Sequence, residues 1–212
     1  MKQAIGIFGG TFDPVHYGHL RTAWELRSLL DLAELRFMPC AQPPLKAAAR
    51  ASGPQRVAML EAAISRYDGF AVDQRELSRE GPSYTVDTLR ELRDELPDTP
   101  LCLIIGMDAW RSFTHWERWQ DILDLSHIVV AHRPGNTLPQ GELADIYQSR
   151  AAADADQLHS VLAGSIYIHE VTQLEISSSA IRNLITDGLG YEFLLPPEVG
   201  ELISSSGCYL PE

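Results

Sequence analysis

GIFGGTFDPVHYGHL, residues 6–20, decides the fold of this chain, because it joins a short apolar run to a glycine pair, two histidines and a helical pattern. The apolar run of residues 4–8 stops at Gly9 and Gly10, as a strand buried on both faces of a parallel sheet does. Helical spacing of apolar residues begins near Tyr17. The stretch therefore predicts the first strand and first helix of an α/β fold. A glycine turn between them would let a ligand approach the main chain.

His16 and His19 are three residues apart, so from the first helical turn both side chains point the same way, near the positive end of the helix dipole. Two imidazoles together with free backbone N–H groups at a helix start are typical of a phosphate site. The alternative is that both residues are ordinary polar residues of a loop. The phosphate motifs GxxxxGK[ST] and GxGxxG are missing, and no HExxH or CxxC spacing indicates zinc. The paired histidines after a strand and a double glycine favour a functional phosphate site.

Length and charge limit the classes of function. The chain has 212 residues, 45% of them apolar, which predicts one domain over residues 1–212. A net charge of −12 and a pI near 4.9 argue against a nucleic-acid partner and favour small molecules. Three widely spaced cysteines, no secretion signal and no long apolar run predict a cytoplasmic protein that does not enter membranes. The sequence leaves the oligomeric state open.

Further apolar runs alternate with helical patterns along the whole chain, which predicts a Rossmann-like, doubly wound, mostly parallel sheet with helices on both faces. The later strands are predicted at residues 35–39, 70–72, 101–106, 128–131 and 166–171. In such sheets ligands bind at the carboxyl ends of the strands near the switch point. Asp108, directly after the strand of residues 101–106, is therefore a site candidate, although an aspartate in this position commonly caps its helix.

Lys46 is one of only two lysines in the chain and lies in a loop rich in proline, alanine and glycine. A lone cation beside a phosphate site is suited to a polyphosphate, while an exposed lysine that is simply solvated is the alternative.

A second helix start has anion-site character. EISSSAIR, residues 175–182, follows the last predicted strand, and Ser178 and Arg182 share one helical face. A purely structural serine cap is the alternative.

Two other stretches contain candidate helix starts and aromatic side chains. Residues 81–89 are predicted to form a turn that enters a helix capped by Ser83 or Thr85.

Three tryptophans lie within residues 110–119, a density typical of a core, so at most one of them is expected to face a ligand.

These motifs carry a family resemblance. GGTFDPVHYGH (9–19) resembles the signature of the HxGH nucleotidylyltransferase superfamily. With SYTVDTL (83–89), GMDAWRSFTHW (106–116) and ISSSAIR (176–182), the chain is similar over nearly its whole length to bacterial nicotinate-mononucleotide adenylyltransferases. Two positions depart from the family pattern: Leu45 stands where histidine is common, and Ser179 where threonine is usual.

The resemblance implies transfer of the adenylyl group of ATP to nicotinate mononucleotide, which gives nicotinate adenine dinucleotide and pyrophosphate in NAD biosynthesis. It implies that His16 and His19 are catalytic, and that Mg²⁺ arrives with ATP without metal ligands from protein side chains. The residues implied for ATP and its phosphates are Gly9, Gly10, Thr11, Phe12, Lys46, Ile176, Ser177, Ser178 and Arg182. The residues implied for nicotinate mononucleotide are Tyr84, Thr85, Asp108, Trp116 and Arg133.

Other functions stay open at this point. The acceptor could be nicotinamide mononucleotide or phosphopantetheine, although the family acting on phosphopantetheine has shorter chains without the SYTxDTL and GxDxxxxFxxW elements. A module that binds nucleotide without turnover is an alternative from another class, which the intact histidines oppose. An RNA-linked relative of the HIGH-type synthetases is opposed by the acidic charge.

Overall fold

The computed structural model describes residues 2–41, 48–132, 140–172 and 174–210. The strands are β1 (Ile5–Gly10), β2 (Glu34–Pro39), β3 (Phe70–Val72), β4 (Leu101–Gly106), β5 (His127–His132) and β6 (Ile166–Glu170). The helices are α1 (Tyr17–Leu29), α2 (Gly53–Ile64), α3 (Thr85–Glu95), α4 (Met107–Arg111), α5 (Trp119–Leu125), α6 (Glu142–Arg150), α7 (Gln157–Ser160), α8 (Ser178–Thr186) and α9 (Pro197–Ser206). Two 3₁₀ segments lie at Arg75–Ser78 and Phe113–His115.

The strands form one six-stranded sheet in the order β3-β2-β1-β4-β5-β6, and each neighbouring pair is parallel. This is the doubly wound order, in which the chain changes its direction of travel across the sheet between β1 and β4. Phe8 pairs with Ile104, so the two strands end side by side. The predicted fold class is confirmed, and the carboxyl ends of β1 and β4 lie at the switch point as expected.

Helices cover both faces of the sheet because alternate residues of each strand point to opposite sides. In β4, Cys102 and Ile104 join the core beneath α1, α2, α8 and α9. Leu103 and Ile105 join the core beneath α3, α4 and α5. Strands that are apolar on both faces result, which explains why unbroken runs such as LCLIIG mark them in the sequence.

The helix predicted after the lysine loop begins one residue earlier than its proline. Ser52 caps α2, accepting a hydrogen bond from the Gln55 N–H, and the Gln55 side chain returns to the Ser52 backbone in a capping box. None of the helices in the described ranges combines the length and apolar character that crossing a bilayer requires.

Candidate active site

Gly9 and Gly10 are the last two residues of β1, so the sequence expectation that they form the turn itself is wrong. Neither has a positive φ. Instead, the left-handed residue is Phe12 (φ 48°), whose ring is buried against Gly10, where a Cβ would lie 2.8 Å from Phe12 Cζ. A Cβ on Gly9 would meet nothing within 4 Å. Gly10 is therefore required by packing, whereas Gly9 leaves open main chain at the end of the strand.

His16 is the N-cap of α1, and its Nδ1 accepts a hydrogen bond from the Gly18 N–H at 3.1 Å. Because Nδ1 accepts, the neutral ring carries its proton on Nε2. The side chain is buried, with 4% of its surface exposed, and this burial lowers the pKa of His16 from 6.5 to about 4. At neutral pH, His16 is therefore an uncharged donor that offers an N–H through Nε2.

His19 lies three residues further along, in the first turn of α1, and its ring stacks on that of His16 with centroids 3.8 Å apart. The Phe12 ring packs edge-to-face against that of His19, with ring centroids 5.0 Å apart. The prediction that both histidines point the same way from the helix start is confirmed. The buried Phe12 ring limits the movement of His19 toward β1.

Free N–H groups of α1 were expected to complete this site, and the structure corrects that expectation. The Tyr17 N–H donates to the Leu194 carbonyl at 3.0 Å, and the Gly18 N–H is bound by His16. The main chain before α9 thus occupies the helix terminus. The imidazole side chains, rather than the backbone N–H groups of Tyr17 and Gly18, are what this helix start presents to a ligand.

The second helix start lies directly against the first loop. Ser177 caps α8 by accepting from the Ala180 N–H, while the Ser178 hydroxyl donates to the Pro14 carbonyl at 2.9 Å. Arg182 Nη1 donates to the Asp13 carbonyl at 2.6 Å. The two motifs are therefore adjacent as predicted, but Ser178 and one side of Arg182 bind the β1–α1 loop itself, a contact the sequence did not indicate.

The backbone of α8 is the better anion site of the two helix starts. Within the described part of the chain, the N–H groups of Ser178 and Ser179 have no acceptor. Arg182 Nη2 donates to the Ser179 hydroxyl at 3.1 Å, which places the guanidinium over this first turn. Ile176, partly buried against the core, fixes the approach of the chain to the helix.

The start of α3 was expected to be capped by Ser83 or Thr85, and this is wrong: the N-cap is Tyr84, without a side-chain hydrogen bond. Ser83 Oγ instead accepts from the Ala41 N–H at 3.1 Å, so it ties this helix start to the segment after β2. Within the described ranges, the N–H groups of Thr85 and Val86 have no acceptor. Thr85 is partly exposed, so a ligand can reach its N–H group, whereas Val86 is fully buried.

Asp108 lies in the first turn of α4 with a fully exposed side chain, 3.3 Å from Arg111, and does not cap the helix. It lies directly after the carboxyl end of β4. Trp116 is partly exposed; its Nε1 donates to the Ser112 hydroxyl at 3.4 Å, and its ring leans on the buried Phe113 with centroids 5.7 Å apart. Among the three clustered tryptophans, only Trp110 is fully buried.

Three residues named from the sequence, Leu45, Lys46 and Arg133, lie outside the described residues. Among the described residues, no group of three or more His, Cys, Asp or Glu side chains is arranged to hold a metal ion.

Sequence reasoning missed two buried polar residues that shape the site. Arg56, with 2% of its surface exposed, donates from Nη1 to the carbonyls of Thr11 and Cys40, each at 2.8 Å, and so holds the chain after β1 to the chain after β2. Asp13 is buried in the β1–α1 loop and accepts hydrogen bonds from distant parts of the chain. No local pattern signals either role, because their partners are far away in sequence.

His127 and His159 are also buried or partly buried, yet they are structural. His127 Nδ1 accepts from the Ser165 N–H and Nε2 lies 3.0 Å from the Val161 carbonyl. His159 is held in the same way by the Ala4 N–H and the Leu30 carbonyl. Each ring has backbone partners on both nitrogens, so neither is available to a substrate.

A doubly wound sheet whose switch point carries an HxGH pair, with a serine-arginine helix start packed against it, is the architecture of a nucleotidyltransferase. Comparison with known proteins agrees. Residues 7–184 match the model of the cytidylyltransferase-like family. A Methylococcus capsulatus protein named "Probable nicotinate-nucleotide adenylyltransferase" is 49% identical over 97% of this chain and 99% of its own length. An Aeromonas hydrophila protein of the same name is 45% identical over 100% of this chain and 99% of its own.

The chain therefore belongs to the cytidylyltransferase-like family and, within it, to the nicotinate-nucleotide adenylyltransferases. The fold is shared with Plasmodium falciparum nicotinic acid mononucleotide adenylyltransferase complexed with NaAD, with a TM-score of 0.75 at 18% identity over 98% of both chains.

Proposed function

We propose that this protein transfers the adenylyl group of ATP to nicotinate mononucleotide, giving nicotinate adenine dinucleotide and pyrophosphate, as a step of NAD biosynthesis. The observation that carries the proposal is the stacked His16–His19 pair at the end of β1, next to the start of α8 with Arg182. Relatives that match this chain over 97% or more of its length carry the corresponding name.

The reaction needs no nucleophile from the protein. An oxygen of the mononucleotide phosphate attacks the α-phosphorus of ATP, a new P–O bond forms, and the bond from the α-phosphorus to the bridging oxygen of the β-phosphate breaks. Pyrophosphate leaves with the electron pair. Catalysis then consists of positioning and of stabilising charge on the α-phosphoryl oxygens.

The two histidines are placed for that stabilisation. His16 is neutral at pH 7 and offers Nε2–H, and a buried donor acts more strongly on a developing charge than an exposed one. His19 stacks on it and is less buried. We assign both as catalytic residues that contact the α-phosphate.

ATP is proposed to bind along the carboxyl ends of β1 and the start of α8. Gly9 leaves space for a phosphate or the nucleoside against bare main chain. Phe12 is buried as a whole residue, so its proposed contribution is to support Gly10 and His19, against which its ring packs. The full proposed set is Gly9, Gly10, Thr11, Phe12, Lys46, Ile176, Ser177, Ser178 and Arg182.

Nicotinate mononucleotide is proposed to bind between the starts of α3 and α4, with Tyr84, Thr85, Asp108, Trp116 and Arg133 as contacts. The open N–H group of Thr85 supplies a donor, and the partly exposed Trp116 supplies a flat surface for the pyridine ring.

Mg²⁺ is proposed to accompany ATP and to reduce the charge on the phosphates during transfer. Asp13 is the carboxylate of the β1–α1 loop, and its oxygens already accept hydrogen bonds from two N–H groups and a phenol. It therefore does not fit a metal ligand. We propose instead that the nucleotide phosphates hold the metal.

We further propose that the partners are ATP and the mononucleotide rather than nucleic acid, on the basis of the net charge of −12. A cytoplasmic location is proposed from the three cysteines, which form no disulfide within the described part of the chain. A single domain over residues 1–212 is proposed from chain length and the single sheet.

A pyrophosphate-release assay with ATP and a panel of mononucleotides tests the proposal. Nicotinate mononucleotide is expected to give the highest kcat/KM, with nicotinate adenine dinucleotide identified by mass. A higher kcat/KM with nicotinamide mononucleotide or phosphopantetheine would reassign the acceptor. ATP binding without release of pyrophosphate for any acceptor would contradict an enzymatic role.

A further inference from the structure

The carboxylate of Asp13 joins three distant parts of the chain. Oδ2 accepts from the Arg50 N–H at 2.8 Å, and Oδ1 accepts from the Ala51 N–H at 3.0 Å and from the Tyr209 hydroxyl at 2.7 Å. Asp13 is only 3% exposed, and Tyr209 is fully buried. A buried carboxylate needs such donors, because leaving one of its acceptors unsatisfied costs more than an average hydrogen bond contributes.

Asp13 also holds Arg182. Its main-chain carbonyl accepts from Arg182 Nη1 at 2.6 Å, and its Oδ2 lies 3.6 Å from the same nitrogen. Arg182 Nη2 binds the Ser179 hydroxyl. A guanidinium has five N–H donors. These contacts orient the group and leave other donors for a phosphate.

Tyr209 contacts both sides of this arrangement. Its carbonyl lies 3.4 Å from the Thr186 hydroxyl at the end of α8 and 3.5 Å from Arg50 Nη2. The segment that follows α9 is thereby linked to the histidine loop and to the helix that carries Arg182. Burial and the neighbouring Asp13 raise the pKa of the Tyr209 phenol, so it remains a proton donor at every pH of interest.

We propose that Tyr209 and Asp13 are positioning residues for ATP: the Tyr209 hydroxyl fixes the Asp13 carboxylate, and Asp13 fixes the Arg182 guanidinium for the outer phosphates. This inference rests on the proposed function. A positioning role can be told apart from a purely stabilising one. Loss of a stabilising contact would change KM for both substrates alike. Loss of the contact that positions Arg182 should change KM for ATP and leave the mononucleotide site between α3 and α4 unchanged.

Tyr209→Phe is the first test, because it removes one hydroxyl and keeps the buried ring. We expect KM for ATP to rise about fivefold to tenfold, the factor that loss of one buried hydrogen bond produces, with KM for nicotinate mononucleotide changed by less than about twofold. Tyr191→Phe is the matched control. Within the described chain, the one hydrogen-bond partner of the Tyr191 hydroxyl is Ser204, and neither residue binds Asp13. It should leave both constants unchanged.

Arg182→Ala supplies the second readout. On its own it should raise KM for ATP more than Tyr209→Phe does. If Tyr209 acts through Arg182, adding Tyr209→Phe to Arg182→Ala should change KM for ATP by less than about twofold, because the group that it positions is gone. Multiplication of the two single effects in the double variant would overturn the proposal.

An equal rise in KM for both substrates with Tyr209→Phe would also overturn it, in favour of a structural role. Should Tyr209→Phe not fold, Asp13→Asn gives the same test, since it keeps the volume but turns an amide N–H₂ toward one of the donors. If the wild-type protein showed no adenylyl transfer, the proposed function would be contradicted instead. Failure of the positioning proposal and failure of the proposed function are therefore distinguishable.

Discussion

His16 and His19 stack face to face, with ring centroids 3.8 Å apart and planes inclined by 29°. The buried member of the pair, His16, is held by the Gly18 N–H, so its orientation and tautomer are fixed before any ligand binds. A donor that is already oriented needs no reorganisation when charge develops on a phosphate. The pair is therefore a preorganised site, and the protein bears the cost of burying an imidazole.

That cost predicts a dependence of stability on pH. The pKa of His16 falls from 6.5 to about 4 on folding, so between these values the unfolded chain binds more protons than the native one. The free energy of unfolding must then decrease as the pH falls through this window. At ~1.4 kcal/mol per unit, the loss is on the order of 3 kcal/mol once the pH is below about 4. Urea unfolding at pH 7 and at pH 4.5 measures it.

His16→Asn is the control for this prediction, because asparagine is a good N-cap and does not titrate. Between pH 7 and pH 4.5 the unfolding free energy of wild type should fall by more than that of His16→Asn. The buried His127, whose pKa is also lowered, is present in both proteins and cancels. Parallel pH profiles for the two proteins would contradict the assignment.

His19→Ala should lower kcat by on the order of a hundredfold or more, as removal of one preorganised donor does. The fold should persist, because His19 is only partly buried. Pyrophosphate release by folded protein gives kcat, and circular dichroism checks the fold. His169→Ala, on the edge strand β6 three places from β1, is the matched control. Near-normal turnover by His19→Ala would remove the histidine pair from the mechanism.

Alanine at Gly10 should lower the stability of the protein, whereas alanine at Gly9 should affect the binding of ATP. A Cβ on Gly10 would lie 2.8 Å from the buried Phe12 ring, so Gly10→Ala should lower the unfolding free energy by about 1–3 kcal/mol. A Cβ on Gly9 meets nothing within 4 Å, so Gly9→Ala should change stability by less than about 0.5 kcal/mol. Gly9→Ala should nevertheless raise KM for ATP, because its methyl group occupies the ligand side of the strand. Unchanged ATP kinetics would show that this strand end does not face the nucleotide.

The sequence was sufficient for the sheet, because strands that are apolar on both faces leave runs such as LCLIIG that no surface helix would contain. It was also sufficient for the starts of α1 and α8, because the apolar spacing after Tyr17 and the serines before α8 are local signals. The positions of His16 and His19 followed from these two signals.

Contacts between distant residues could not be predicted. The Leu194 carbonyl takes the N–H of Tyr17, and Tyr209 reaches Asp13 from 196 residues away. Neither contact leaves a periodic pattern, because each depends on how the C-terminal segment returns to the sheet. For the same reason Arg56 reads as one polar residue of α2, although it is buried and holds two loops together.

Arginines near the mononucleotide site already have carboxylate partners, which bears on acceptor choice. Arg118 Nη2 binds the Asp87 carboxylate, and Arg111 lies 3.3 Å from that of Asp108. The partly exposed N–H group of Thr85 is left as a donor at the start of α3. Donors of this kind suit a carboxylate, which only accepts hydrogen bonds, better than an amide, which also presents N–H₂.

Nicotinate mononucleotide should therefore be preferred over nicotinamide mononucleotide by at least roughly a hundredfold in kcat/KM, because donors left facing an amide N–H₂ cost several kcal/mol and each ~1.4 kcal/mol is tenfold. Trp116→Ala should lower kcat/KM for both acceptors by a similar factor, since a stacking ring does not distinguish an acid from an amide. Trp119→Ala is the matched control: it removes a second partly buried indole packed on Phe113 and should alter stability more than acceptor kinetics. Equal kcat/KM for the two acceptors would refute recognition of the acid while leaving adenylyl transfer intact. A change in the acid-to-amide ratio with Trp116→Ala would mean that the indole takes part in reading the carboxylate.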